Sequence, residues 1–321
     1  MDNRQAILDA NNSNSTSLEL SSVSEDDITL LNDLGSLQEL SLFQFAGDFS
    51  LLPRVPKLHS VALIEGCEPE DFQHLANVPT LRLLAINHWG PEDLSGIGQI
   101  KQLTELSLSE NEQYTSIDFV ANLRALEILD LEGGQFADLS SLAGLTQLRK
   151  LNLANCDEII DLSPIAGLTS LTELDIRSTS ATDLSPLASL TNLESLKFDG
   201  DADSVDPIRQ LANLTSLEIA HCETIADFEF IAQFQGLTHL ALKSTLIDDL
   251  TPLSGLNQLN SLSLEGSPVN DVSPLSSLVG IQSLNLRRTN VRDLGPLKNL
   301  DLSGKFYLDF DVEYLNNPKA E

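Results

Sequence analysis

Three sets of residues in this 321-residue chain could carry chemistry. Three cysteines (Cys67, Cys156, Cys222) offer thiolate nucleophiles or soft metal ligands, and five histidines (His59, His74, His88, His221, His239) offer bases or imidazole ligands. A recurring carboxylate forms the third set: Asp27, Asp48, Asp71, Asp93, Asp138, Asp161, Asp183, Asp227, Asp249, Asp271 and Asp293, with Ser116 and Ser204 in the gaps. Such a column could chelate cations in a ladder. One carboxylate per step falls short of the roughly six to eight convergent oxygens that calcium takes. The aspartate is usually followed by Ser-Pro or a close variant, as in Asp161-Leu162-Ser163-Pro164. Asp and Ser side chains accept free backbone N–H groups at the start of a helical turn, and Pro is tolerated in a first turn. The column therefore reads as turn caps first.

The cysteines and histidines do not converge on an acid–base partner. Cys156 and Cys222 share a column with Asn111, Gly134, Thr179, Asp201, Thr245, Ser267 and Thr289, mostly small groups able to hydrogen-bond the backbone. The histidines fall at unrelated positions, and His88-Trp89 reads as packing. No phosphate-binding glycine loop, zinc-binding His-Glu-x-x-His, Cys-x-x-Cys or nucleophile-elbow motif occurs. No catalytic residue, metal or cofactor is expected.

The elements that hold these columns come from a repeat. Units of the form L-x-x-L-x-L start at Ser15, Leu37, Leu58, Leu81, Leu103, Leu126, Leu148, Leu171, Leu193, Leu214, Leu237, Leu259 and Ile281, at intervals of 21 to 23 residues. Leu174 and Ile176 alternate with Glu173 and Asp175, the period of a short half-buried strand. Leu184, Leu187 and Leu190 follow three apart, the spacing of a 3₁₀ or helical turn. One unit cannot bury its leucines alone, so the units must stack. The expected fold is an α/β solenoid: a horseshoe with a parallel inner sheet and short 3₁₀ or helical turns on the convex side. The domain boundaries expected are an N-terminal cap or flexible segment at 1–14, thirteen repeats at 15–302, and a capping strand and tail at 303–321. In that tail Phe306, Leu308, Phe310 and Val312 would face the core.

The run L-x-x-L-x-L-x-x-[T/N/C]-x-[I/V]-x-D-L-S-P-L resembles the 22-residue leucine-rich repeats of bacterial internalin-like proteins, over roughly residues 15–300. The resemblance implies recognition of a partner on the inner sheet face. Unlike that family, the chain is expected to lack a signal peptide, a surface-anchoring tail and a second domain.

Composition narrows the partner. The net charge is −30, from 48 acids against 18 bases. That disfavours nucleic acid and anionic membranes, which need a basic surface, and suits a protein partner, a basic one above all. Solubility alone would also account for the charge. No stretch approaches the ~20 apolar residues that span a bilayer. Three scattered cysteines favour a reducing compartment. A monomeric cytoplasmic protein is expected, with non-classical secretion left open.

Strand alternation places the binding face. Phe43, Ile64 and Leu83 are expected to cluster near the N-terminal end, with Ala62 and Ala85 between them. Further along, the face turns to mixed charge at Asp130, Glu132, Asp175, Arg177, Lys197, Asp199, Glu218 and Lys243. The exposed row is also expected to include Ala154 and Ala220. The first four units are irregular, with Val23, Phe45, Gly66 and Trp89 in the polar column, through structural erosion or through adaptation to binding. The functional expectation is a non-catalytic interaction scaffold. An acidic inhibitor or immunity protein of a basic toxin or enzyme, and a host-directed effector, remain alternatives.

Overall fold

A computed structural model describes the chain apart from residues 1–2, 46, 48, 51, 53–54, 66–71, 88–92, 112, 301–304 and 309–321. It divides into two compact units, Met1–Leu171 and Thr172–Glu321.

The first unit opens with α1 (Asn3–Ser13), which buries Ile7 and Ala10 and leaves Leu8 exposed. The strands β1 (Ser17–Ser21), β2 (Glu39–Phe43), β3 (Ser60–Ile64), β4 (Leu83–Asn87), β5 (Glu105–Ser107), β6 (Ile128–Asp130) and β7 (Lys150–Asn152) then follow in spatial order. Each pairs in parallel with its sequence neighbour. A single short α-helix, α2 (Glu25–Leu30), stands where later repeats have 3₁₀ turns.

The second unit repeats the plan with β8 (Glu173–Asp175), β9 (Ser195–Asp199), β10 (Ser216–Ala220), β11 (His239–Lys243), β12 (Ser261–Ser263), β13 (Ser283–Asn285) and β14 (Lys305–Tyr307). Its returns are 3₁₀ turns such as Ser185–Ser189 and Ser273–Ser277. Both units are leucine-rich-repeat solenoids with a parallel sheet on one side and short 3₁₀ turns on the other.

The reason is local. In every repeat two apolar side chains in or just after the strand point inward, such as Leu174 and Ile176, and both are buried. Leu184, Leu187 and Leu190 meet them from the turn side, also buried. Full burial of a leucine is worth about 1.5–3 kcal/mol, and no unit could achieve it without its neighbours.

The strands come in two lengths, three and five residues. At β6, β7, β8 and β13 the cause is visible. The last strand residue is Asp or Asn, and its side-chain oxygen accepts the N–H two residues on: Asp130 from Glu132 (3.2 Å), Asn152 from Ala154 (3.0 Å), Asp175 from Arg177 (3.2 Å) and Asn285 from Arg287 (3.1 Å). That local bond competes with the ladder and ends the strand.

The chain leaves its strands through a left-handed residue wherever that residue is described. In every repeat where this position is described, the seventh residue after the start has positive φ, from Ser22 (53°) and Gln44 (51°) to Gly266 (76°) and Arg288 (57°). Most of these are not glycine or asparagine, although a left-handed conformation costs other residues roughly 1–2 kcal/mol.

Candidate functional site

The turn side of each unit is built by the aspartate column. Oδ1 of Asp93, Asp138, Asp161, Asp183, Asp227, Asp249, Asp271 and Asp293 each accepts the backbone N–H two residues on, at 2.8 Å. Ser116 and Ser204 do the same through Oγ at 3.1 Å. Hydrogen bonds from the following Ser or Thr hold Asp93, Asp138, Asp183, Asp249 and Asp271 below the usual carboxylate range. The side-chain bond leads at Asp93 and Asp249 and the backbone bond at the others. Asp27 is different. It sits inside α2 and forms a reciprocal capping box with Ser24, whose N–H it accepts at 3.0 Å. Asp48 and Asp71 lie outside the described residues. Among the described residues no three His, Cys, Asp or Glu side chains converge as metal ligands.

The polar column is internal. Thr179, Thr245 and Thr289 donate to the carbonyls of Ile176, Leu242 and Leu286 at 2.9, 3.3 and 2.8 Å. Ser267 also donates to Leu242 at 2.7 Å. Cys156 donates to Leu131 at 3.2 Å, and burial pushes its thiol up to about 11. At neutral pH it is a protonated packing group, not a nucleophile. Cys222 is also buried and free; Cys67 lies outside the described residues. Gly134 lacks a ladder side chain, and the structure fills the gap with Tyr114. The Tyr114 hydroxyl donates to the Leu131 carbonyl at 3.3 Å, and its ring stacks on Phe136 at 5.7 Å. A Cβ at Gly134 would strike the Phe136 ring and the Tyr114 hydroxyl. At the irregular N-terminal end Phe45 is fully buried against Phe49 (5.0 Å), which meets Phe72 (6.1 Å). An aromatic stack there replaces the hydrogen-bond ladder, so at Phe45 the departure serves packing. Gly66 and His88-Trp89 lie outside the described residues.

The sheet side of the first unit carries the exposed rows. Phe43 is directly opposite Ile64, and both are half-buried. Ala62 sits opposite Ser41 and Ala85, giving a low floor beside them. Further along, Ser107 and Ser109 both donate to Asn87 Oδ1, at 3.3 and 3.2 Å. Asp130 and Glu132 follow. The Asn152 amide donates to both carboxylates, at 2.9 and 3.2 Å, and Asn155 donates to Glu132 at 3.0 Å. Burial pushes Asp130 up, with the Glu132 N–H pulling the other way and the Glu132 carboxylate adding to the rise. Among the described residues no lysine or arginine forms an ion pair with either.

In the second unit Asp175 and Glu218 of the same rows are paired internally, whereas Glu265 accepts the Asn285 amide at 3.0 Å. Arg177 grips Asp175 through Nε (2.9 Å) and Nη2 (2.6 Å) and lies 3.9 Å from Glu218. Lys197 lies 3.4 Å from Asp175. Lys243 meets Glu218 at 2.7 Å. Asp199 accepts the Ser178 N–H.

A family model described as a leucine-rich repeat region matches residues 57–293. The chain belongs to the leucine-rich-repeat family. Its fold is also that of solved repeat proteins. The internalin InlF of Listeria monocytogenes is 24% identical with a TM-score of 0.72, covering 96% of this chain and 94% of that one. The functional domain of InlJ, from the same organism and described as including a cysteine ladder, is 20% identical with a TM-score of 0.62, covering 94% and 66%. The ectodomain of the Arabidopsis thaliana receptor kinase GASSHO1/SCHENGEN3, solved with CASPARIAN STRIP INTEGRITY FACTOR 2, is 18% identical with a TM-score of 0.56, covering 91% and 40%. A comparison with curated protein sequences finds no significant match.

The repeat register corrects two expectations about this leucine-rich-repeat face. Leu83 does not join Phe43 and Ile64. It stands opposite Ser60, at the other end of the strand from Ile64 and about 13 Å along it. Ala154 and Ala220 are buried, because small side chains in that row are shaded by longer neighbours; Ala220 lies between Asp199 and Lys243. No described helix is long and apolar enough to cross a membrane.

Proposed function

We propose that this leucine-rich-repeat protein is a non-catalytic interaction scaffold that takes a protein partner on its sheet face. The observation carrying this reading is the Phe43–Ile64 pair. Two large apolar side chains stand side by side in a row that elsewhere holds polar or small groups. Apolar pairs of this kind mark interaction sites, and aromatic anchors dominate interface energetics. Supporting it is the receptor-kinase ectodomain, a protein of the same fold solved in complex with CASPARIAN STRIP INTEGRITY FACTOR 2. In the first unit the expected contact set adds Asp130 and Glu132, with Leu83 at the opposite end of its strand, and in the second unit it comprises Asp175, Arg177, Lys197, Asp199 and Lys243. The protein would act as a monomer, and the free buried thiols of Cys156 and Cys222 suit a reducing cytoplasm.

The net charge of −30 favours a basic partner and keeps the inhibitor reading open, since an acidic surface steers and caps a basic enzyme. Affinity capture at low and high salt, with the intact chain and with Phe43→Ser/Ile64→Ser, tests both. A partner lost with the double variant supports the sheet-face site. One basic enzyme, held at low salt and released at high salt, supports the inhibitor. Retention of every partner by the variant would make the apolar pair structural.

A further inference from the structure

The two sheet faces offer an internal control. In the second unit an aspartate at the end of β8, Asp175, receives the guanidinium of Arg177 two residues on and the ammonium of Lys197 from the next strand. In the first unit the equivalent aspartate is Asp130, at the end of β6. The place of Arg177 is taken by Glu132, and that of Lys197 by Asn152. The repeat backbone is the same, and both aspartates close the same local turn. What differs is that among the described residues no cation pairs with Asp130, and a second carboxylate stands in the place of Arg177.

We infer that a partner protein supplies that cation as an arginine, bridging Asp130 and Glu132, while an apolar side chain of the same partner rests on Phe43 and Ile64. This rests on the sheet-face reading above and specifies the partner's chemistry. The geometry is suited to a fork of donors. One amide nitrogen, Nδ2 of Asn152, already lies within hydrogen-bond range of both carboxylates, so a single planar group can reach both. A guanidinium presents five donors in such a plane, whereas an ammonium acts as a point charge. Burial of Asp130 beside Glu132 makes the unpaired state costly, and an incoming cation relieves it. The chain's charge of −30 steers a basic partner toward the face. In the second unit the carboxylates of Asp175 and Glu218 are occupied by its own Arg177, Lys197 and Lys243.

The spacing sets the partner's form. Ile64 and Glu132 share one row, three strands apart, which is about 14 Å. An extended segment covers that distance in about four residues and shows residues i and i+4 on the same side.

The test uses the full chain and a fluorescein-labelled peptide with leucine at i, arginine at i+4 and serine or glycine elsewhere, read by fluorescence anisotropy. Asp130→Asn/Glu132→Gln keeps the oxygen acceptors and should weaken binding about ten-fold or more, as should citrulline in place of the arginine. Lysine should fall between. Asp206→Asn, in the 3₁₀ turn Asp206–Gln210 of the second unit, should leave binding unchanged, and thermal melting checks that each variant is folded. If Phe43→Ser/Ile64→Ser weakens binding while the carboxylate variant and the citrulline peptide do not, the arginine inference falls and the sheet-face site stands. If neither pair of residues matters, both fall. Absence of peptide binding, or displacement of the peptide by millimolar calcium, overturns the arginine inference alone.

Discussion

The sheet faces of the two units carry the same rows of the same repeat and treat charge in opposite ways. Around Asp175 the second unit places Arg177, Lys197, Glu218 and Lys243 in alternating sign, each within ion-pair distance of another. Around Asp130 the first unit places Glu132, the amide of Asn152 and the Ser107 hydroxyl, and among the described residues no cation pairs with it. Beneath these surfaces the buried leucines are interchangeable: Leu129 and Leu174 are 1% and 2% exposed. A solenoid can thus vary its surface chemistry strand by strand while its core stays constant, because strand alternation puts the two on opposite sides of one backbone.

The largest effect should be the one that leaves the comparison intact. Leu129→Ala and Leu174→Ala should each cost about 2–5 kcal/mol in urea unfolding, since each opens a cavity in a packed layer. A cost confined to one of them would show that the units differ in the core and not only at the surface.

The second effect separates the units. Glu218→Gln removes the partner of Lys243 and a neighbour of Arg177, and should lose about 0.5–1 kcal/mol at low salt, less at high salt. Glu132→Gln removes a repulsion with Asp130 and should leave stability unchanged or slightly raised. Equal losses from both would erase the electrostatic contrast.

The smallest effect lies in the acid limb. Asp130 has its pKa raised in the folded state, so its ionised form is a liability above that pKa and the liability disappears as pH falls. The turn aspartates Asp93, Asp138, Asp183, Asp249 and Asp271 run the other way. Their pKa values are lowered, so they contribute stability above the ordinary value of 3.8 that is lost as pH falls through the lowered one. Carboxylate NMR titration should show Asp130 protonating above 3.8 and these five below it. The stability gained by Asp130→Asn at neutral pH should shrink on acidification. Asp130 titrating together with the turn aspartates would remove its special status.

The repeat, the strands and the turn caps were legible because each depends on residues within one 22-residue unit. Asp161-Leu162-Ser163-Pro164 announces its own cap, and Leu174 and Ile176 announce their own inward face. Cys156 was legible as a ladder residue for the same reason. Contacts between units were harder. Tyr114 comes from the preceding repeat to occupy the space that Gly134 leaves, and nothing in either unit alone signals it. Leu83 was grouped with Phe43 and Ile64 by strand adjacency, whereas the position along the strand sets it apart.

The sequence by itself determined the solenoid, its apolar columns and its capped turns, since hydrophobic period and local hydrogen bonding act at short range. The tertiary structure alone decided two things. It fixed a left-handed residue after the strands wherever that residue is described, on side chains as unlike as Gln44, Ser178, His221 and Arg288, because stacking of neighbouring repeats imposes that backbone whatever residue is present. It also decided which carboxylates are neutralised, because an ion pair depends on the distance between side chains of different strands, and residue type alone does not supply that distance.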